Sequence, residues 1–300
     1  MSEAIPENVQ PRSRLTTNIP DTSLATPRDK ASGDTVYSTS QNYERLRPGE
    51  IRLLCLLPRE SAMELVTGYL ATFMQGATPK YTAISYAWGD GRRISTIQID
   101  GKATPVTNSL WHALVALTKH DEPVWIWADA LSINQCDVDE LNSQVHIMDK
   151  IYSEAHTVAI CLGSSSESDD IRLAFELLKG ATAWESANTP QATITGDQRR
   201  MSSVVRLFER NYWKRLWIVQ EVFHAKRADV YCGSDCIPLQ TIFSACTAFQ
   251  TFSDDIEKFF PAGKAQTLCF APSHGTNLWK SYASAEANSQ QDLRIRFSVF

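Results

Sequence analysis

No window of the 300 residues approaches the roughly 20 consecutive apolar residues of a membrane-spanning helix. The opening stretch MSEAIPENVQPRSR has no apolar core of a secretory signal. The chain is therefore expected in a reducing compartment, the cytoplasm, with no membrane span. Its seven cysteines (Cys55, Cys136, Cys161, Cys232, Cys236, Cys246 and Cys269) then read as free thiols. Excess positive charge is also missing. The formal charge of −5 gives no basic footprint for nucleic acid as a main partner. Cys232 and Cys236 have no second Cys/His pair nearby, so no metal site is expected. Gly89 and Gly91 make neither a dinucleotide fingerprint nor a phosphate loop. Ser85 lacks the flanking glycines of a hydrolase nucleophile elbow. His146 and His156 do not share a helix face and read as surface residues. What is present is an ordinary globular balance, 43% hydrophobic and 21% charged, on a chain long enough for a sizeable core.

Residues 1–48 are rich in Ser, Thr, Pro, Asn and Asp, and their lack of apolar periodicity predicts a disordered tail. Order is expected to start with the apolar run 51–57, a buried strand stopped by Pro58. Met63, Val66, Leu70 and Met74 recur at helical spacing and predict a helix over 61–74. Residues 81–86 read as a strand, and 96–101 alternate and close on Asp100-Gly101, a hairpin signal. A helix is predicted over 108–119 with Asn108 as its cap. The strand 124–128 delivers Asp129 at its end. Asp137 and Glu140 are spaced as a capping box for a helix whose apolar face is Leu141, Val145, Met148 and Tyr152. Another buried strand, 157–162, ends at Gly163. Beyond it come a helix at 169–179, a loop at 181–199, helices at 201–210 and 213–225 and a strand at 229–232. Alternating strands and helices predict an α/β fold with a mainly parallel sheet flanked by helices, and helical additions after residue 165.

Ser85, Asp90 and Asp129 fall at the carboxyl ends of predicted strands, the edge where open α/β sheets bind ligands. Asn134 and Gln135 add polar groups beside a helix start. The competing reading is that Asp129 and Asn134 only satisfy backbone groups in a tight turn. Trp213, Trp217 and Glu221 lie at i, i+4 and i+8 of a helix. Either the indoles are core and Glu221 is solvated or paired with an arginine, or Glu221 lies at the mouth of an apolar-walled pocket.

Three segments carry a resemblance. The first holds Tyr81, Ser85, Tyr86, Trp88, Gly89 and Asp90. The second holds Trp125, Asp129, Ile133, Asn134, Gln135, Glu140, Gln144, Val145, Met148, Ile151, Tyr152, Ala155, Val158, Leu162 and Gly163. The third holds Tyr212, Trp213, Arg215, Trp217, Gln220 and Glu221. Together, in order, they resemble the signature blocks of the fungal heterokaryon-incompatibility (HET) domain, over residues 51–223. The resemblance implies a role in self/non-self recognition and programmed cell death, with self-association or another incompatibility protein as partner. It places a HET domain at 49–235, followed by a loop-rich, partly helical extension at 236–300. Ser132, Leu141 and Cys161 stand where the family usually has Cys, Arg or Lys, and Trp. The family pattern also continues past Phe300, so a shortened, inactive copy is an open alternative.

HET domains are in turn similar to TIR domains, flavodoxin-like α/β modules that in several lineages cleave NAD at its glycosidic bond. Trp217 and Glu221 repeat the Trp-x-x-x-Glu spacing of plant-type TIR domains. That resemblance implies NAD as a substrate rather than a bound cofactor, with Glu221 as the catalytic carboxylate holding the ribose hydroxyls. Ser85, Trp88, Asp90, Asp129, Asn134, Gln135 and Trp217 would then bind the ligand.

Overall fold

A computed structural model describes residues 43–61, 64–89, 91–164, 170–181, 198–215, 221–222 and 225–251. The chain divides into two compact units, one of Met1–Ile84 with Arg92–His156, the other of Ser85–Gly91 with Thr157–Phe300.

In the first unit β1 (Glu50–Leu56) is buried on both faces from Ile51 to its end, as its apolar run, interrupted by Arg52, requires. Each fully buried leucine there contributes about 2 kcal/mol. Thr67–Met74 is not helical. It is β2, antiparallel to β1 from Glu50↔Met74 to Leu56↔Gly68. The helical spacing of Val66, Leu70 and Met74 was coincidental, and the aromatic and β-branched residues between them suit a pleated surface. Gly68 admits no other residue, since a Cβ would stand 2.5 Å from the Cys55 carbonyl oxygen.

β3 (Tyr81–Tyr86) starts in this unit and pairs in parallel with β6 (Val124–Trp127). β4 (Ser95–Ile99) and β5 (Lys102–Val106) form the expected hairpin. Its turn residues Asp100 (φ 52°) and Gly101 (φ 76°) are both left-handed, as a two-residue hairpin loop demands. The strand order within the unit is β5-β4-β2-β1-β6-β3. β1 runs antiparallel to β6, and β2 parallel to β4. The sheet is thus mixed rather than mainly parallel, because hairpin-type neighbours were folded in among the parallel pairs.

Helix α1 (Asn108–Leu117) buries Leu110, Ala113, Leu114 and Leu117, but its cap is Thr107, whose hydroxyl accepts from the Leu110 N–H at 3.2 Å. Asn108 is already inside the helix. After β6, Asp129 opens the single turn α2 (Asp129–Ser132). The helix expected across Leu141 to Tyr152 is broken at Ile147 (φ −109°, ψ 9°) into α3 (Val138–His146) and α4 (Met148–Glu154). The buried residues of α3 are Glu140 and Gln144, while Leu141 and Val145 are only half-buried. Gln144 donates to the Glu50 carbonyl at 3.0 Å. α4 buries Ile151 and Tyr152, and the Tyr152 hydroxyl donates to the Ile84 carbonyl at 3.0 Å.

The second unit holds β7 (Thr157–Cys161), parallel to β8 (Ala228–Cys232), which is antiparallel to β9 (Asp235–Pro238). Helix α5 (Ile171–Ala181) packs against α6 (Gln198–Glu209), and α7 (Leu239–Thr251) packs on α5, β8 and β9. The expected helix at 213–225 begins instead as a 3-10 turn, Asn211–Lys214, and Glu221 and Val222 are helical. Residues 1–42, most of the 181–199 loop and everything after residue 251 lie outside the described residues. Among the described residues no helix is long and apolar enough to cross a membrane.

Candidate functional site

The expected site residues divide between the units. Asp129, Asn134 and Gln135 belong to the first, and Ser85, Trp88 and Glu221 to the second; Asp90 and Trp217 lie outside the described residues.

In the first unit, the loop leaving β6 is tied inward. Asp129 Oδ1 accepts from the Ala130 N–H at 2.7 Å, and Gln135 Nε2 donates to the Asp129 carbonyl at 2.9 Å. Asn134 Oδ1 accepts from the Cys136 N–H at 3.2 Å. These are the short-range bonds by which Asx residues shape turns. Asp137 caps α3, accepting from the Asp139 and Glu140 amides, both at 3.1 Å. The other half of a capping box is absent. Glu140 does not reach back to residue 137; its Oε1 accepts from the Asn134 N–H at 2.7 Å and from Arg52 at 2.8 Å. Arg52, 3% exposed on β1, also donates to the carbonyls of Ser132 (2.8 Å) and Glu44 (2.7 Å). Ser132 is wholly buried, and its hydroxyl accepts from the Ala128 N–H at 3.1 Å. A buried cation and anion persist only with such complete hydrogen bonding.

In the second unit, a chain of polar side chains surrounds the end of β3. The Ser85 hydroxyl, 1% exposed, donates to Glu221 Oε2. With its single hydrogen committed, Ser85 must accept from the Tyr212 hydroxyl, 2.6 Å away. Burial pushes the Tyr212 phenol far above its ordinary value, and the Glu221 charge adds to the effect, so Tyr212 stays a neutral donor. Arg215 donates to Glu221 Oε1 at 3.1 Å and to Oε2 at 3.5 Å, and lies over the Tyr212 ring at 5.8 Å. Glu221 itself is 3% exposed. Its side chain is thus paired with an arginine rather than solvated. Trp88 is half-buried in the turn after β3, where Gly89 takes φ 75°.

The arrangement provides an anionic oxygen pair neutralised by a guanidinium and approached by two hydroxyls in series. Such a set can hold, or exchange, sugar-type hydroxyl groups. Among the described residues no cluster of three or more His, Cys, Asp or Glu could hold a metal ion. Arg52, Tyr212 and Arg215 were missed as site residues. Tyr212 and Arg215 sit in the third motif block, which was the available signal, whereas Arg52 in an apolar strand gave none beyond its oddity.

Residues 81–221 match the family described as Heterokaryon incompatibility protein (HET). The chain is also similar to the Heterokaryon incompatibility protein 6, OR allele, of Neurospora crassa. They are 29% identical over 241 aligned positions, covering 66% of this chain and 35% of that protein. The chain therefore matches only about a third of that relative's length. No solved structure matches the fold.

Proposed function

We propose, from the match of residues 81–221 to the HET family, that the chain acts in heterokaryon incompatibility, as a self/non-self recognition factor whose output is programmed cell death. The observation that carries this reading is the family match spanning all three motif blocks, joined to a similarity with a protein named for incompatibility. Its partner is a second copy of the chain or another incompatibility protein, and its place of action is the cytoplasm. The test is inducible expression of the chain in a filamentous fungus, scored by growth and uptake of a vital dye. Growth arrest with dye entry is expected. Normal growth at verified expression, alone and after fusion with unlike strains, removes the proposal.

A second reading makes the death output enzymatic, with a TIR-like fold cleaving NAD. What supports it is the buried Glu221 carboxylate at the carboxyl end of β3, with Ser85 already bonded to it as a substrate hydroxyl would be. In this reading Glu221 stabilises the positive charge that develops on the ribose as nicotinamide departs. Trp88, in the turn after β3, is the further residue of this unit proposed to meet the ligand. Purified chain should consume NAD, and Glu221→Ala should abolish turnover. Equal turnover in the variant excludes Glu221 from the chemistry. Absence of turnover in both leaves incompatibility signalling without catalysis.

A further inference from the structure

A segment read from composition as tail is tied into the first unit. Residues 43–47 cross the Arg52–Glu140 pair and touch three elements. The Tyr43 ring lies over the Arg52 guanidinium at 4.6 Å, and its hydroxyl donates to the Leu131 carbonyl of α2 at 3.2 Å. The Glu44 carbonyl takes an Arg52 N–H at 2.7 Å. The Arg45 guanidinium meets the Asp139 carboxylate of α3 at 3.6 Å. A turn fastens the far end, where the Arg47 N–H donates to the Glu50 carboxylate at 2.8 Å and the Glu50 N–H to the Arg47 carbonyl at 3.0 Å.

We infer that residues 43–47 form a latch over the Arg52–Glu140 pair, and that closing it fixes the loop carrying Asn134 and Gln135. The inference is independent of the enzymatic reading. Arg52 is a positioning residue: it grips the loop through Ser132 and through Glu140, which in turn holds the Asn134 amide. Its grip depends on exclusion of water, because an ion pair opened to solvent is worth little. The Tyr43 ring covers that guanidinium from the chain's N-terminal side, and the Glu44 carbonyl takes one of its N–H groups. Burial pushes the Tyr43 hydroxyl up to about 12, so at neutral pH it remains a donor to Leu131. Lifting the strap lets water reach the pair and removes the bond to α2 together. A pull on the chain ahead of Tyr43 is thereby transmitted to the loop after β6.

Hydrogen exchange on the full chain tests the latch, comparing wild type with Tyr43→Ala and Tyr43→Phe. In Tyr43→Ala, peptides covering residues 131–140 should exchange about tenfold faster, while those of β1 and the β4–β5 hairpin keep their protection. Tyr43→Phe retains the ring over Arg52 and loses only the bond to Leu131, so a smaller gain is expected. Unchanged exchange at 131–140 in Tyr43→Ala overturns the inference, as does an increase matched by β1 and the hairpin. Should Tyr43→Ala fail to fold, Tyr43→Phe decides by the same criterion: faster exchange confined to 131–140 supports the latch, and none there refutes it.

Discussion

Among the described residues each unit joins an arginine to a buried glutamate, and the two pairs are built differently. In the first, the side chains of Arg52 and Glu140 are 3% and 4% exposed, and their remaining partners are main-chain groups: the carbonyls of Ser132 and Glu44 and the amide of Asn134. In the second, Arg215 is 22% exposed, and Glu221 is met by a side-chain hydroxyl backed by a second one. Main-chain partners cannot leave without moving the fold, whereas hydroxyls exchange partners by rotating one bond. The first pair is consequently architecture, and the second is a set of groups able to trade an internal hydroxyl for a ligand's.

The largest effect should follow from breaking the first pair. Glu140→Ala strands a buried guanidinium and is expected to cost about 3–5 kcal/mol in denaturant unfolding, with much of the loss recovered by pairing it with Arg52→Met. A cost below about 1 kcal/mol would erase the contrast between the pairs. Glu221→Gln should cost less, about 1–3 kcal/mol, since Arg215 has a route to water and the amide still accepts from Ser85. If it equals Glu140→Ala in the same denaturation series, both pairs are architecture. The smallest effect belongs to an exposed contact. Arg199 grips Asp170 through two bonds of 2.9 Å at the start of α5, and this holds the Asp170 carboxyl below its ordinary value. A depressed folded pKa contributes stability that is present above the unfolded value near 3.9 and is lost as pH falls through the lower folded value. Asp170→Asn should therefore slightly lower the melting temperature at neutral pH, with the difference from wild type closing as pH falls through the lower folded value, so that the acid limb is flatter. A difference from wild type that stays as large in strong acid as at pH 7 would contradict that assignment.

Much of the framework was legible because it is local. The apolar runs at β1, β6 and β7 announced buried strands, and Asp100-Gly101 required the hairpin turn it makes. The carboxylate of Asp137 caps α3 as its spacing from Glu140 suggested. What failed was non-local. Thr67–Met74 carried a helical coincidence that only its seat beside β1 could overrule. Glu140 carried a capping signal, but a guanidinium from a strand 88 residues away claimed its carboxylate. Tyr212 and Arg215 were visible as motif letters without being assigned a role; the partner of Tyr212, Ser85, is distant in sequence, whereas that of Arg215, Glu221, is only six residues on.

By itself the sequence determined the α/β character, the strands whose apolar runs need burial on both faces, the turn chemistry and the HET-type motif blocks. These follow from residue spacing and backbone preference, which act over a few positions. The tertiary structure decided the mixed strand directions, the break at Ile147, the polar buried face of α3 and the bonding of Glu221. Each of these depends on which distant partner a polar group finds when it leaves water, because a buried charge is costly unless it is paired.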